Sequence, residues 1–267
     1  MRSESSKPWN WLLFPFTSVQ AAGGRLYAAS AQHGVYCKGA NQDWMPLEGG
    51  GMQDGTTVNR LKELEGRLSA CTNTGLYHYI DGKWQDDGLA IPCYQYARWG
   101  QISYAATEYG VWCKRGLKWQ QCDYTNKRVY DLLQLPQYLV IGHEEGLSLY
   151  DRFMDEWADF RAGSAVTSVA VYNKRIIGTN EHGELLAGDG EGRFNRIRYG
   201  RQFLYSVKCC GKGVYVCTDR GLYSLSEIGG RLILQGRKLG YPVTDIDLAG
   251  DEMMLATLYQ GVQFMPV

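Results

Sequence analysis

The chain has 267 residues, with 28 lysines and arginines balanced by 28 aspartates and glutamates, so its formal net charge is zero. A neutral chain argues against nucleic acid or an anionic membrane surface as the main partner. No apolar run approaches the roughly 18 residues that a membrane-spanning helix needs, and Trp11–Phe16 is too short for the apolar part of a secretion signal. We therefore expect no nucleic-acid partner and no membrane association.

The chain repeats one short pattern seven times: a strand, a polar turn that ends in glycine, and a returning strand. Gly211–Leu225 (GKGVYVCTDRGLYSL) shows it best, because Val214, Tyr215 and Val216 suit a pleated strand and Gly221 provides the backbone freedom of the turn. The turn glycines lie 35 to 41 residues apart. They are Gly34, Gly75, Gly110, Gly146, Gly183, Gly221 and Gly261.

Each repeat has two further strands, so we call the four strands A, B, C and D, with B and C forming the hairpin. Predicted strands A are Thr17–Ala22, Val58–Leu64, Tyr94–Ala97, Val129–Leu133, Val166–Val171, Leu204–Cys209 and Val243–Leu248. Strand D is indicated by Trp44, Trp84, Trp119, Trp157, Phe194 and Leu232. No helical segment separates the units. The pattern predicts an all-β chain, residues 1–267 forming one seven-bladed β-propeller domain with four antiparallel strands per blade.

The seventh unit reaches Val267 directly after its strand C, and the N-terminus holds a spare strand, Lys7–Phe14 (KPWNWLLF). An unpaired strand edge is a liability. We therefore predict that residues 1–16 close the ring by completing the last blade. The alternative is a disordered N-terminal tail with an apolar patch.

Four of the eight cysteines occur at repeat-equivalent positions. Cys37 and Cys113 occupy the same position in two repeats, and Cys71 and Cys217 share another position. Such positions indicate packing, because free cysteine is a small and commonly buried residue. No C-x-x-C pair is present, which argues against a zinc ribbon or a thioredoxin-like site. We expect reduced cysteines and a cytoplasmic protein.

The repeat resembles that of seven-bladed β-propellers with a Gly-Leu-Tyr signature, carried here by Gly75-Leu76-Tyr77 and Gly221-Leu222-Tyr223. This group includes the propellers of two-component sensors, photosystem-assembly proteins and the Asp-box proteins similar to sialidases. The resemblance covers nearly the whole chain and concerns architecture. Only Asp81–Trp84 approaches an Asp-box, so no sialidase residues are transferred to this chain.

The resemblance implies that the B–C turns and D–A loops share one face, which we call the top face, around a central channel. Side chains of those turns and of the first residues of strand A are therefore candidates for ligand contact. The candidates are His33, Arg60, Glu108, Tyr109, Asp131, Glu144, Arg220, Asp245 and Tyr259. We place the beginnings of strand A at Ser18, Arg60, Gln95, Asp131, Ser168, Tyr205 and Asp245.

Blades four and five carry the densest set of titratable turn residues: His143, Glu144, Glu145, Glu181 and His182. His143, Glu145, Glu181 and His182 are the catalytic candidates, and the same four could hold a divalent metal ion. No other cofactor is expected. The alternative is that these turns are polar simply because they face water. His143 also breaks the repeat, since it stands where other repeats have Thr72, Thr107, Thr179, Thr218 and Thr257.

Three functions remain open from the sequence. The first is a binding or scaffold propeller that holds a small polar ligand, a glycan or a protein segment on the top face. The second is an enzyme, a lyase or hydrolase that uses the top-face acids and histidines. The third is a structural subunit of a larger assembly. We favour binding, because no catalytic motif stands out and propeller rings commonly serve as scaffolds.

Overall fold

The computed structural model describes residues 15–40, 42–53 and 55–267, which form twenty-seven β-strands in seven antiparallel sheets. Six of these sheets have four strands in chain order, and the seventh has three. Within these ranges no helix is long and apolar enough to cross a membrane. The predicted all-β propeller of seven blades is confirmed.

The strands follow one another blade by blade. Blade one consists of β1 (Phe16–Ala22), β2 (Arg25–Ser30), β3 (Gly34–Lys38) and β4 (Met45–Pro46). Blade two consists of β5 (Val58–Leu64), β6 (Arg67–Thr72), β7 (Leu76–Ile80) and β8 (Lys83–Asp86). Blade three consists of β9 (Cys93–Trp99), β10 (Ile102–Thr107), β11 (Gly110–Arg115) and β12 (Lys118–Asp123). Blade four consists of β13 (Val129–Gln134), β14 (Tyr138–His143), β15 (Gly146–Asp151) and β16 (Glu156–Arg161).

The remaining three blades repeat this order. Blade five consists of β17 (Val166–Tyr172), β18 (Arg175–Asn180), β19 (Leu185–Gly188) and β20 (Phe194–Ile197). Blade six consists of β21 (Leu204–Cys210), β22 (Gly213–Thr218), β23 (Gly221–Ile228) and β24 (Arg231–Leu239). Blade seven consists of β25 (Val243–Ala249), β26 (Glu252–Thr257) and β27 (Val262–Pro266).

The core consists of seven apolar clusters, and each cluster joins two neighbouring blades. Phe16 and Val19 of blade one, for example, pack with Met254 and Ala256 of blade seven. Full burial of such a side chain contributes about 1.5–3 kcal/mol. The ring is therefore closed at its centre by packing between the first and the last blade.

The outer edge of β27 pairs with no fourth strand among the described residues. The closing strand predicted at Lys7–Phe14 lies outside those residues, so it stays a prediction. A surface pocket of about 870 Å³ lies between the lower turns of blades one and seven and is lined in part by Phe264 of β27.

The cysteines differ from expectation in blade three, where Cys113 and Cys122 form a disulfide. A register shift between Val111 and Trp112 leaves Cys122 without a partner in the strand ladder, and its Cα lies 6.1 Å from that of Cys113. That separation is suitable for a disulfide. The expectation of eight reduced packing cysteines is therefore wrong for this pair, and the cytoplasmic location remains a prediction.

Candidate functional site

One irregularity recurs in every blade: the second residue of strand A is a β-bulge. In blade four, for example, Val129 pairs with His143 and Asp131 with Gly142, which leaves Tyr130 as the extra residue. Bulges are common next to functional sites because they redirect a side chain. The bulged residues lie beside the B–C turns, and we call them the upper ring. They are Thr17, Asn59, Tyr94, Tyr130, Thr167, Tyr205 and Thr244.

Small residues of the upper ring bind backbone carbonyls. Thr17 donates to the carbonyl of Val58 at 2.7 Å, and Thr244 donates to that of Phe16 at 2.7 Å. Asn59 reaches the next blade in the same way. These side chains are therefore used to join blades.

Tyrosine replaces the small residue in blades three, four and six. Tyr94 and Tyr130 are half-buried, and their ring centroids lie 5.8 Å apart across the boundary between blades three and four. Tyr205 lies 5.5 Å from the exposed ring of Phe203. Aromatic side chains thus replace the small hydrogen-bonding residues of the upper ring in blades three, four and six. In the described part of the chain none of the three tyrosine hydroxyls donates to a carbonyl of a neighbouring blade.

A charged pair lies beside the tyrosines of blades three and four. The guanidinium of Arg128 donates to both carboxylate oxygens of Glu108, with Nε 2.7 Å from Oε2. The Tyr94 hydroxyl donates to the same carboxylate, and Arg128 also lies 5.9 Å from the Tyr130 ring centroid. The hydrogen bonds from Arg128 hold the pKa of Glu108 below its ordinary value. The site therefore combines aromatic faces with an ionised carboxylate and a guanidinium.

The residue after each bulge points into the channel, and we call these residues the channel ring. Six of the seven are buried. They are Ser18, Arg60, Gln95, Asp131, Ser168, Ser206 and Asp245, so the sequence prediction was wrong in placing Tyr205 rather than Ser206 in this set.

The channel ring satisfies the N–H groups that strand A leaves unpaired at its inner edge. Asp245 accepts from the Ser18 hydroxyl at 2.7 Å and from the backbone N–H of Val19 at 3.1 Å, and Lys208 lies 2.5 Å from its other oxygen. Although burial raises the pKa of Asp245, Lys208 and Arg60 bring it below the ordinary value. Asp245 therefore joins blades seven and one as a buried carboxylate.

Asp131 also joins neighbouring blades, on the other side of the ring. Its carboxylate accepts from the Gln95 side chain at 2.9 Å, from the backbone of Leu132 at 3.0 Å and from the backbone of Val169 at 2.9 Å. Its place in the channel ring is therefore between blades, away from the exposed turns.

His143 points into blade four rather than toward blade five. Its Nε2 lies 2.9 Å from the Ser148 hydroxyl, which donates to Asp159 at 2.6 Å, and its Nδ1 accepts from the backbone N–H of Glu145 at 3.3 Å. Burial, reinforced by the charge of Lys127, lowers the pKa of His143. Both ring nitrogens are thus already engaged.

His143 fills the role that a threonine has in other turns. The Thr72 hydroxyl accepts from the N–H of Gly75 at 2.9 Å and donates to its carbonyl at 2.8 Å. In blade five this position belongs to Asn180, whose side chain accepts from the backbone N–H groups of His182 and Glu184. The sequence alignment of Thr179 with the other threonines is therefore wrong by one residue.

The acidic turn residues of blades four and five share a surface pocket of about 430 Å³. Glu144, Glu145 and Glu181 line it together with Arg161. Glu145 is paired with Lys127 at 2.6 Å, and this contact lowers the pKa of Glu145. The structure thus brings three of the carboxylates to one pocket.

The histidines do not join those carboxylates in a common centre. His182 is exposed, 3.9 Å from Glu181, and His143 is buried. Among the described residues no three His, Cys, Asp or Glu side chains are arranged to hold a metal ion.

The remaining candidates lie in the top-face turns. Tyr109 and Tyr259 are 53% and 62% exposed, and His33 and Arg220 are exposed as well. Arg60 lies in the channel, away from these turns. Sequence reasoning missed Tyr130, and the signal that could have found it is the second residue of strand A, where blades three, four and six all have tyrosine.

No protein-family model matches the chain, and no curated protein matches it. Several solved structures, in contrast, have a similar fold. The extracellular domain of BT4673 from B. thetaiotaomicron has a TM-score of 0.78 at 13% identity over 95% of this chain, and the chain spans 38% of that domain. The WD40 propeller of Doa1 has a TM-score of 0.72 at 13% identity, covering 94% of this chain and 92% of that one.

Virginiamycin B lyase from Staphylococcus aureus, solved with quinupristin, has a TM-score of 0.74 at 7% identity, covering 95% of both chains. At these identities the likeness shows the fold alone. These three proteins differ from one another in kind, so they share an architecture with this chain and leave its ligand open. The chain is a seven-bladed β-propeller.

Proposed function

We propose that this protein is a binding propeller that holds a small polar ligand, a glycan or a protein segment on its top face, at the channel mouth. The observation that carries the proposal is the replacement of small joining residues by Tyr94, Tyr130 and Tyr205 in the upper ring. Departures from a repeat rule tend to occur at functional positions.

A sugar ring fits this chemistry best. Its C–H face can stack on a tyrosine ring, and its hydroxyls can bond to the carboxylate of Glu108 and the guanidinium of Arg128. Tyr109 adds an exposed aromatic side chain next to Glu108. A peptide with an aromatic side chain would use the same surfaces, so it is the second ligand class to test.

An enzymatic role receives no comparable support. His143 is buried and occupied by hydrogen bonds. Within the described ranges, the exposed His182 contacts only Glu181 of the three pocket carboxylates, at 3.9 Å. The carboxylates of Glu144, Glu145 and Glu181 could still contact cationic groups at the edge of a larger ligand.

The test is a glycan array and a short-peptide array probed with three proteins. These are the wild type, the double variant Tyr94→Ser/Tyr130→Ser, and Leu117→Ser as a matched control on the lower face, where Leu117 is 93% exposed. We expect the double variant to bind the wild type's best array ligand at least about tenfold more weakly, the scale of a lost aromatic anchor. Unchanged binding by the double variant, or loss in the control, would contradict the proposal.

A further inference from the structure

A cavity of about 140 Å³ lies inside the channel, formed mainly by strands A of blades one, two, six and seven. Its polar lining consists of Gln20, Arg60, Lys62, Glu63, Gln95, Lys208 and Asp247. Glu63 and the exposed Cys209 lie on its wall, so it communicates with solvent at the lower face. It is thus separate from the upper ring and from the proposed top-face site.

Two cations, Arg60 and Lys62, line this cavity. Among the described residues, neither the guanidinium of Arg60 nor the ammonium of Lys62 makes a hydrogen bond or an ion pair. Together these groups present eight N–H donors and no acceptor. Lys208 is a third cation on the same wall, held by Asp245 and by the carbonyl of Ile246 at 3.0 Å.

The carboxylates near the cavity already accept hydrogen bonds from other groups. Glu63 on the cavity wall accepts from the backbone N–H of Gly66 at 2.5 Å. Asp131 and Asp245 accept the hydrogen bonds that join blades, as described above. Asp247 accepts from the side chain of Gln20 and from the backbone N–H of Ala21, each at 2.7 Å. These aspartates moderate the positive field without lying within ion-pair distance of Arg60 or Lys62.

The two cations differ in their electrostatic surroundings. Burial lowers the pKa of Arg60, but the charges of Asp131 and Asp245 bring it above its ordinary value. Lys62 is less well compensated. Burial lowers the pKa of this lysine, and the neighbouring charges of Lys208 and Arg60 lower it further. A small anion would offset both the burial of the Lys62 ammonium and its repulsion by the other cations, because the anion supplies hydrogen-bond acceptors and a compensating negative charge.

We propose that the channel cavity binds a small oxyanion, an inorganic phosphate or a compact carboxylate, between Arg60 and Lys62, with Lys208 behind them. The planar guanidinium fork matches two oxygens of either anion, and the lysine ammonium adds a compact charge. The cavity volume of about 140 Å³ accommodates an ion of this size.

The test uses the full-length protein, dialysed free of oxyanions and titrated calorimetrically with inorganic phosphate, with acetate, and with chloride at matched ionic strength. We expect saturable binding of phosphate or acetate and none of chloride, and the stronger of the two identifies the source of the oxyanion. Lys62→Met should weaken that binding at least about tenfold, whereas Lys212→Met, an exposed lysine in the lower turn of blade six, should leave it unchanged.

A second measurement keeps the proposal testable if Lys62→Met does not fold. Wild-type crystals soaked in tungstate should show an anomalous peak between Arg60 and Lys62. Equal effects of all three anions, wild-type binding by the Lys62→Met variant, or no peak at a saturating soak would each overturn the proposal.

Discussion

Two rings of side chains lie one residue apart in sequence and have opposite environments. Asp131 of the channel ring is buried and bonded to three donors, whereas Tyr130 of the upper ring is half-buried at the mouth. In blade four the bulge between them separates a buried residue that joins blades from a half-buried residue at the channel mouth. The difference teaches that the polarity of a side chain does not by itself reveal its role in this fold, because its hydrogen bonds decide whether it is already committed to joining blades.

The largest effect should come from the channel ring. Asp245→Ala would leave the half-buried Lys208 without its carboxylate partner and the N–H of Val19 without an acceptor. Breaking a fully buried pair costs about 3–5 kcal/mol, so we expect a loss near the lower end of that range. Urea unfolding measures the loss. The matched control is Asp251→Ala, an exposed aspartate in the lower turn of the same blade, which should unfold as the wild type does. Equal midpoints for the two variants would contradict the joining role.

The next effect concerns the turn that supports the top face in blade six. Gly221 has φ +146°, and a Cβ there would lie 2.1 Å from the carbonyl oxygen of Lys238. Gly34, at the equivalent place in blade one, has φ +75° and no atom within 4 Å of that position. Gly221→Ala should therefore lower the free energy of unfolding by several kcal/mol, and Gly34→Ala by about 1 kcal/mol. Urea unfolding measures both losses. Equal losses in the two variants would show that the close approach of the Lys238 carbonyl to Gly221 does not affect stability.

A smaller effect is expected from the buried histidine of blade four. Because the folded-state pKa of His143 is lowered, the unfolded chain binds the proton more readily as pH falls below about 6.5. The contribution of this group to stability is then present above that pH and is lost as pH falls toward the folded-state pKa. His143→Thr restores the repeat residue and should flatten the stability profile in that window.

Its control is His182→Thr, which removes an exposed histidine from the neighbouring blade. Urea unfolding at several pH values compares the two variants. If both profiles match that of the wild type, burial of His143 does not govern the acid response.

The smallest effect on stability should come from the exposed turn side chains. Tyr259→Ser changes a side chain that is 62% exposed, so its free energy of unfolding should stay within about 0.5 kcal/mol of the wild type. Glu145→Gln should leave the melting temperature unchanged. A clear loss of stability in either variant would show that these turns contribute to the fold more than their exposure indicates.

The repeat, the turn glycines and the number of blades could be predicted from sequence, because a hairpin needs local turn chemistry that is visible in each unit. The two rings could not be assigned correctly, because a one-residue bulge shifts the alternation of strand A. The same cause explains why Tyr205 was exchanged with Ser206, and a register shift in blade three also hid the pairing of Cys113 with Cys122. The inward turn of His143 could not be predicted either, since it depends on Ser148 and Asp159 from the next strands.

The most direct test of the account is hydrogen–deuterium exchange of the wild type with and without the strongest ligand found on the arrays. The account predicts slower exchange in the peptides that carry Tyr94, Tyr130 and Tyr205, with unchanged exchange in the lower turns around Leu117 and Phe153. Protection confined to those lower turns, with none at the channel mouth, would contradict it.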